Sequence, residues 1–235
     1  MEKGFEYMNF EIHETEFGIS VLADCMDYMA TMADKSVDLC LTDPPYGIRA
    51  YANGVMGGGV LAKQSKYDAT DWDESPASRE QIAAITRTSK NQIIFGGNYF
   101  DLPPSSCWLV WDKDNGNNNF ADCELAWTSF KTAVRIYKWK WQGMLQQDMK
   151  NKDKRVHPTQ KPVALFNWCL TNYSKKGEII FDPFAGSFTT AIACIRTGRK
   201  YICIEKERKY FEVGIKRIDK ELAQTDFLRD EVLEV

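Results

Sequence analysis

The chain has 235 residues, 44% hydrophobic and 27% charged, with a formal charge of −3. That length can bury a sizeable core in a single domain, 1–235, and the composition excludes disordered, fibrous and disulfide-framed classes. No apolar run nears the roughly 20 residues of a membrane span, the start has no signal-peptide pattern, and seven scattered cysteines beside two histidines read as reduced thiols without a zinc site.

In chain order, Phe17 to Leu22 reads as a short strand ending at Ala23-Asp24, and Met26 to Met32 as a helix. Ser36 to Thr42 reads as a second strand, with Val37, Leu39 and Leu41 alternating. Asp43-Pro44-Pro45-Tyr46 stops it. The prolines fix φ near −65° and remove two backbone donors, and Asp43, preceding a proline, is biased to extended backbone. Such a turn presents acceptors, a carboxylate and carbonyls. It suits a ligand that donates two hydrogens, such as an exocyclic amino group, and Tyr46 adds a face for a planar base. An ordinary proline turn would read the same from these four residues alone. The β-α-β unit puts Asp24 and Asp43 at strand carboxyl ends, where open parallel α/β sheets bind ligands.

Residues 47–71 read as a loop holding five of the 15 glycines, long enough to be functional or disordered. Ser78 to Lys90 reads as a helix, Gln92 to Phe95 as a buried strand closed by Gly96-Gly97, and Cys107 to Trp111 as a strand running into the polar turn Asp112 to Asn119. Glu124 to Phe130 is its expected antiparallel partner. From Lys131 to Lys161 there are nine Lys/Arg against Asp148 and Asp153, a net of +7, leaving −10 for the rest of the chain. Such a segment is either a phosphate-facing patch or a solvated loop. The aromatics Tyr137, Trp139 and Trp141 interleaved there suit contact with nucleic-acid bases, or else an exposed strand with tryptophans in the core.

His157 to Pro162 leads into a helix with Pro162 suited to its first position and Leu165, Trp168, Cys169 and Tyr173 on one face. Glu178 to Phe181 reads as a strand, Asp182-Pro183-Phe184-Ala185-Gly186 as a turn, and Thr189 to Thr197 as a helix capped by Gly198. Lys200 to Ile204 reads as a strand ending at Glu205, and Arg208 to Leu222 as a helix. A glycine turn between strand and helix, with an acid 19 positions after Gly186 at the next strand's end, suits a nucleoside-bearing cofactor, with backbone approaching the ligand and the carboxylate taking ribose hydroxyls, or else is a β-α-β unit with an incidental glycine. No complete G-x-G-x-x-G is present, so a nicotinamide dinucleotide is not the first expectation.

Together these stretches resemble the amino-group DNA methyltransferases that use S-adenosylmethionine. Asp43 to Tyr46 matches the D-P-P-Y catalytic motif, Phe181 to Ser187 the cofactor loop, and His157 to Pro162 the H-P-T-Q-K-P segment. Their order is that of the circularly permuted β class. The resemblance, over about residues 17 to 220, implies a Rossmann-like α/β fold with a seven-stranded, mostly parallel sheet. It implies that Asp43, Pro44, Pro45 and Tyr46 are catalytic. It assigns the cofactor to Asp24, Thr159, Lys161, Asp182, Phe184, Ala185, Gly186, Ser187, Thr189 and Glu205. The implied reaction is methylation of adenine N6 on a base flipped out of double-stranded DNA, with cytosine N4 as the nearest rival. Recognition of DNA is expected in 131–157, through Arg135, Lys138, Lys140, Lys152, Lys154 and Arg155, and in the 47–71 loop. A homodimer is an arrangement the resemblance allows. The expected setting is the cytoplasm of a bacterium, on its DNA or encoded by a phage, with restriction–modification as context.

One residue departs from the pattern. Where the family's loop continues G-S-G-T-T, this chain has Gly186-Ser187-Phe188-Thr189-Thr190. If the missing glycine served a positive φ or close approach, Phe188 weakens cofactor binding and leaves a non-catalytic DNA-binding relative. The favoured expectation is that Phe188 is already helical, points into the core and is harmless.

Overall fold

A computed structural model describes residues 10–48, 55–56, 65–66, 75–116, 121–142, 145–153, 155–157 and 159–233. Lys154, Pro158 and most of the 47–71 loop lie outside the described residues. The strands are β1 (Glu11–Thr15), β2 (Gly18–Leu22), β3 (Val37–Thr42), β4 (Val55–Met56), β5 (Ser65–Lys66), β6 (Ser89–Phe95), β7 (Trp108–Asp112), β8 (Cys123–Thr128), β9 (Arg135–Lys138), β10 (Trp141–Gln142), β11 (Leu145–Gln146), β12 (Ile179–Asp182) and β13 (Lys200–Glu205). The helices are α1 (Cys25–Thr31), α2 (Arg79–Thr88), α3 (Val163–Tyr173), α4 (Thr189–Thr197) and α5 (Arg208–Leu233).

Nine strands form one sheet in the order β1-β2-β13-β12-β3-β6-β8-β7-β9. The expected seven are its inner part, β2 to β7, and hairpin strand β1 and edge strand β9 extend it. Strands β2, β13, β12, β3 and β6 run parallel, and β8 is antiparallel to both β6 and β7. Counted from the cofactor motif, β12 is first, β13 second, β2 third, β3 fourth and β6 fifth. Chain order reverses direction between β12 and β3, the switch point where an open α/β sheet leaves a crevice. The sequence delivers Asp182 and Asp43 to that point.

The sheet separates two cores. One packs Leu39, Leu41, Phe95, Trp111 and Ile180 against α3, α4 and α5, and the other packs Val21, Cys40, Ile94 and Phe181 against α1 and α2. Helix α2 starts at a reciprocal capping box between Ser78 and Gln81. Helix α4 ends at Gly198 with φ 70°, whose N–H reaches the last-turn carbonyls. Pro162 stands one residue before the expected place: it is the extended N-cap of α3, and Val163 is the first helical residue. Of the two readings open for the 137–141 aromatics, the structure favours the packed one: Tyr137 stacks on Trp139 and on Trp168 of α3, and Trp141 is buried. Burial of indole and phenol rings in the core outweighs an exposed stacking role.

Candidate active site

A cavity of about 550 Å³ opens at the carboxyl ends of β12, β13, β2 and β3. All ten residues expected to hold the cofactor line it, together with Asp43 and Pro45. The turn after β12 is fixed by its own strand. Asp182 Oδ1 accepts from Thr42 Oγ1 at 2.7 Å and from Phe184 N at 3.1 Å, and Oδ2 accepts from Thr190 Oγ1. Burial pushes the Asp182 carboxyl up to about 6. Asp182, expected among the cofactor residues, thus also ties β12 to β3 and α4.

Glu205 ends β13 with Oε2 accepting from Gly186 N and Oε1 from Glu207 N, both at 2.8 Å. Burial pushes its carboxyl up to about 7. Two further lone pairs stay open to hydroxyl donors. Gly186 has φ 51°, a left-handed backbone that favours glycine, and its Cα faces the His157 ring. Asp24, expected as an acidic contact to the cofactor, also caps α1, its Oδ1 accepting from Met26 N at 2.8 Å.

Phe188 is where the structure corrects the sequence most. It is not helical: with φ 58° and ψ 33° it sits left-handed at the N-cap of α4. Its ring is fully buried against Phe211, centroids 6.0 Å apart. The turn has therefore kept the conformation that glycine adopts at no cost. The ring is accommodated because position 214 of α5 is glycine, where a Cβ would stand 2.0 Å from Phe188 Cδ2. Arg217 of α5 donates to Ser187 O at 2.7 Å and Thr189 Oγ1 at 3.1 Å, holding the turn from behind.

On the other side of the crevice the D-P-P-Y turn is locked by hydrogen bonds and charge. Tyr46 Oη donates to Asp43 Oδ1 at 2.5 Å. Lys161 Nζ donates to Asp43 Oδ2 at 2.5 Å and lies 3.0 Å from Glu124 Oε2, and Lys113 Nζ lies 2.5 Å from Glu124 Oε1. Burial pushes the Asp43 carboxyl upward, against the pull of Lys161. Burial opposes charge on Lys161 too, but Asp43 and Glu124 outweigh it and raise Lys161. Burial also opposes ionised Glu124, yet the ammonium groups of Lys161 and Lys113 hold it down at about 2. Lys161, expected among cofactor residues, therefore points its charge at Asp43. The Tyr46 ring stacks on Tyr99, centroids 4.9 Å apart and planes at 14°. It fits because residue 96 is glycine at φ 67°, where a Cβ would stand 2.0 Å from Tyr46 Cε1.

A family model described as a DNA methylase of the N6/N4 type matches residues 60–216. The chain belongs to the N6/N4 DNA methylase family. It is 27% identical over 210 residues to YubD of Escherichia coli (strain K12), covering 84% of this chain and 88% of that one. It is 27% identical over 239 residues to the type II methyltransferase M.HinfI of Haemophilus influenzae, covering 83% of this chain and 66% of that protein. Among solved structures, the cytosine-N4-specific PvuII DNA methyltransferase aligns over 86% of each chain with TM-score 0.58 and 14% identity. M1.HpyAVI complexed with SAM aligns over 84% of this chain and 98% of that one, with TM-score 0.51 and 24% identity. These likenesses attest the fold.

Within this methylase, the residues missed from sequence are His157, Glu124, Lys113, Tyr99 and Tyr210. His157 is buried with its ring 4.3 Å from that of Tyr210, and burial holds it down at about 3, so it is neutral. Its place in the H-P-T-Q-K-P segment was the available signal. Glu124 and Lys113 carried none. Of the candidate DNA contacts, Arg135 and Lys152 are exposed, Lys138 and Lys140 pair with Asp114 at 2.9 and 3.3 Å, and Arg155 lies over the Trp141 ring at 5.2 Å. Among the described residues no helix is long and apolar enough to cross a membrane.

Proposed function

We propose that this DNA methylase transfers a methyl group from S-adenosylmethionine to the N6 amino group of adenine in DNA, using Asp43, Pro44, Pro45 and Tyr46. The carrying observation is that Asp43 and Pro45 line the same cavity as Gly186 and Glu205. The residues fit the cofactor. Glu205 keeps lone pairs for a ribose diol, Asp24 supplies a carboxylate for an adenine amino group, and the bare Cα of Gly186 lets a ligand reach the turn. When bound, the cofactor supplies an electrophilic sulfonium methyl.

The chain's own residues supply position. The lone pair of an aromatic amino nitrogen is delocalised into the ring and attacks poorly. Accepting its two hydrogens at the Asp43 carboxylate and the Pro44 carbonyl favours a pyramidal nitrogen, and in-line transfer depends chiefly on such alignment. The base must leave the duplex, which costs a few kcal/mol. Stacking on the Tyr46–Tyr99 pair offsets about 1–3 kcal/mol of that. The aspartate before the prolines favours adenine over cytosine.

The test is to methylate DNA with the wild-type chain and with Asp43→Ala, digest it and separate the nucleosides. N6-methyl-2′-deoxyadenosine is expected from the wild type, none from the variant, and cofactor affinity within threefold in both. N4-methyl-2′-deoxycytidine would reassign the base, and wild-type rates in Asp43→Ala would remove the role given to that carboxylate.

A further inference from the structure

Four alternating charges run in a line behind the catalytic turn: Lys113, Glu124, Lys161 and Asp43, linked at 2.5, 3.0 and 2.5 Å. They come from four places in the chain: the end of β7, β8, the lead into α3 and the end of β3. The Lys161 side chain is 6% exposed and that of Asp43 15%. Burying one ion pair is already costly and seldom stabilises a fold. A line of four set against the proposed reacting centre calls for another reason.

We propose that Lys161 and Glu124 are positioning residues for capture of the substrate amino group: Lys161 holds Asp43 aimed and ionised, and Glu124 tempers that cation so the carboxylate stays a strong acceptor. The proposal rests on the catalytic role given to Asp43 above. Lys161 fixes Oδ2 and Tyr46 fixes Oδ1, so the carboxylate cannot rotate, and each oxygen keeps a second lone pair for an incoming hydrogen. A lone Asp43–Lys161 pair would spend the acceptor's charge on the ammonium. Glu124 shares that ammonium and leaves the Asp43 oxygens electron-rich, while Lys113 keeps Glu124 charged. The other groups facing this cluster are Asp182 at the end of β12, whose carboxyl Asp43 helps push up, Tyr99 behind Tyr46, and neutral His157 near Lys161.

The two residues act on Asp43 with opposite signs, and that gives the test. The Asp43 carboxyl carbon is followed by ¹³C NMR against pH in the full chain, with Asp43→Asn to assign it. Lys161→Met removes the cation and should move the Asp43 midpoint up by at least one pH unit. Glu124→Gln removes the competing anion and should move it down. The acid limb of single-turnover methyl transfer, read at saturating cofactor, should move the same way in each. Should Lys161→Met fail to fold, Lys113→Met gives a smaller upward shift. Shifts of one sign in both variants, or no shift in either, would overturn the proposal. The NMR arm reads it even in a chain that methylates nothing, whereas an inactive wild type with the expected shifts overturns the proposed function alone.

Discussion

Replacing Phe188 and Gly214 together tests whether a bulky left-handed residue is tolerated because a helix two elements away makes room. Phe188→Gly relieves left-handed strain of about 1–2 kcal/mol but loses ring burial worth about 3–5 kcal/mol, for a net loss of about 1–4 kcal/mol. Gly214→Ala gains about 1 kcal/mol of helix propensity. Its Cβ, however, meets the Phe188 ring at 2.0 Å, and overpacking of that kind costs about 1–3 kcal/mol. In the Phe188→Gly background the obstacle is gone, so Gly214→Ala should stabilise by about 1 kcal/mol. The double-mutant cycle therefore predicts a coupling of about 1–3 kcal/mol, the overpacking cost itself, read from urea unfolding midpoints at constant slope. Equal effects of Gly214→Ala in both backgrounds, within about 0.5 kcal/mol, would refute the compensation. Since Glu205 and Arg217 anchor the turn independently of the ring, Phe188→Gly should leave cofactor affinity within threefold by titration calorimetry.

Three other outcomes are expected. Gly96→Ala puts a Cβ into the Tyr46 ring at a backbone φ of 67°, and should lower the single-turnover rate at least tenfold with cofactor affinity unchanged. Glu205 has a folded-state value raised to about 7 from 4.5, so its contribution to stability falls as pH rises across that window. If its carboxylate accepts ribose hydroxyls, cofactor binding instead tightens with pH and is about tenfold weaker at pH 6 than at pH 8; calorimetry on Glu205→Gln should show a flat profile. Asp114 neutralises Lys138 and Lys140, so Asp114→Asn should strengthen DNA binding and steepen the log–log salt slope by about 1, measured by fluorescence anisotropy.

What could be read from sequence was what is local. The β12 turn, α4, Gly198 and β13 were legible within a residue or two because strand, glycine turn and capped helix are written in adjacent positions. The Asp43 turn was legible because two prolines dictate it. The partners of those elements were not. Glu124 and Lys161 are 37 positions apart, and nothing in either neighbourhood marks them as a pair. Phe188 was misread for the same reason: its conformation depends on Gly214 in a later helix. The aromatics at 137–141 were ambiguous between surface and core, since alternation gives a strand two faces without saying which one a neighbouring helix covers.

The permuted strand order has a bearing on how the molecule comes together. β3 is synthesised long before β12, yet Thr42 and Asp182, 140 positions apart, share a hydrogen bond at the seam between them. Closing so large a loop costs about 4 kcal/mol of chain entropy, recovered only when the last third of the polypeptide arrives. A nascent chain that has already made its D-P-P-Y turn has no crevice to go with it. Competence to modify DNA thus arises late and all at once, when the final strands slot in beside the early ones.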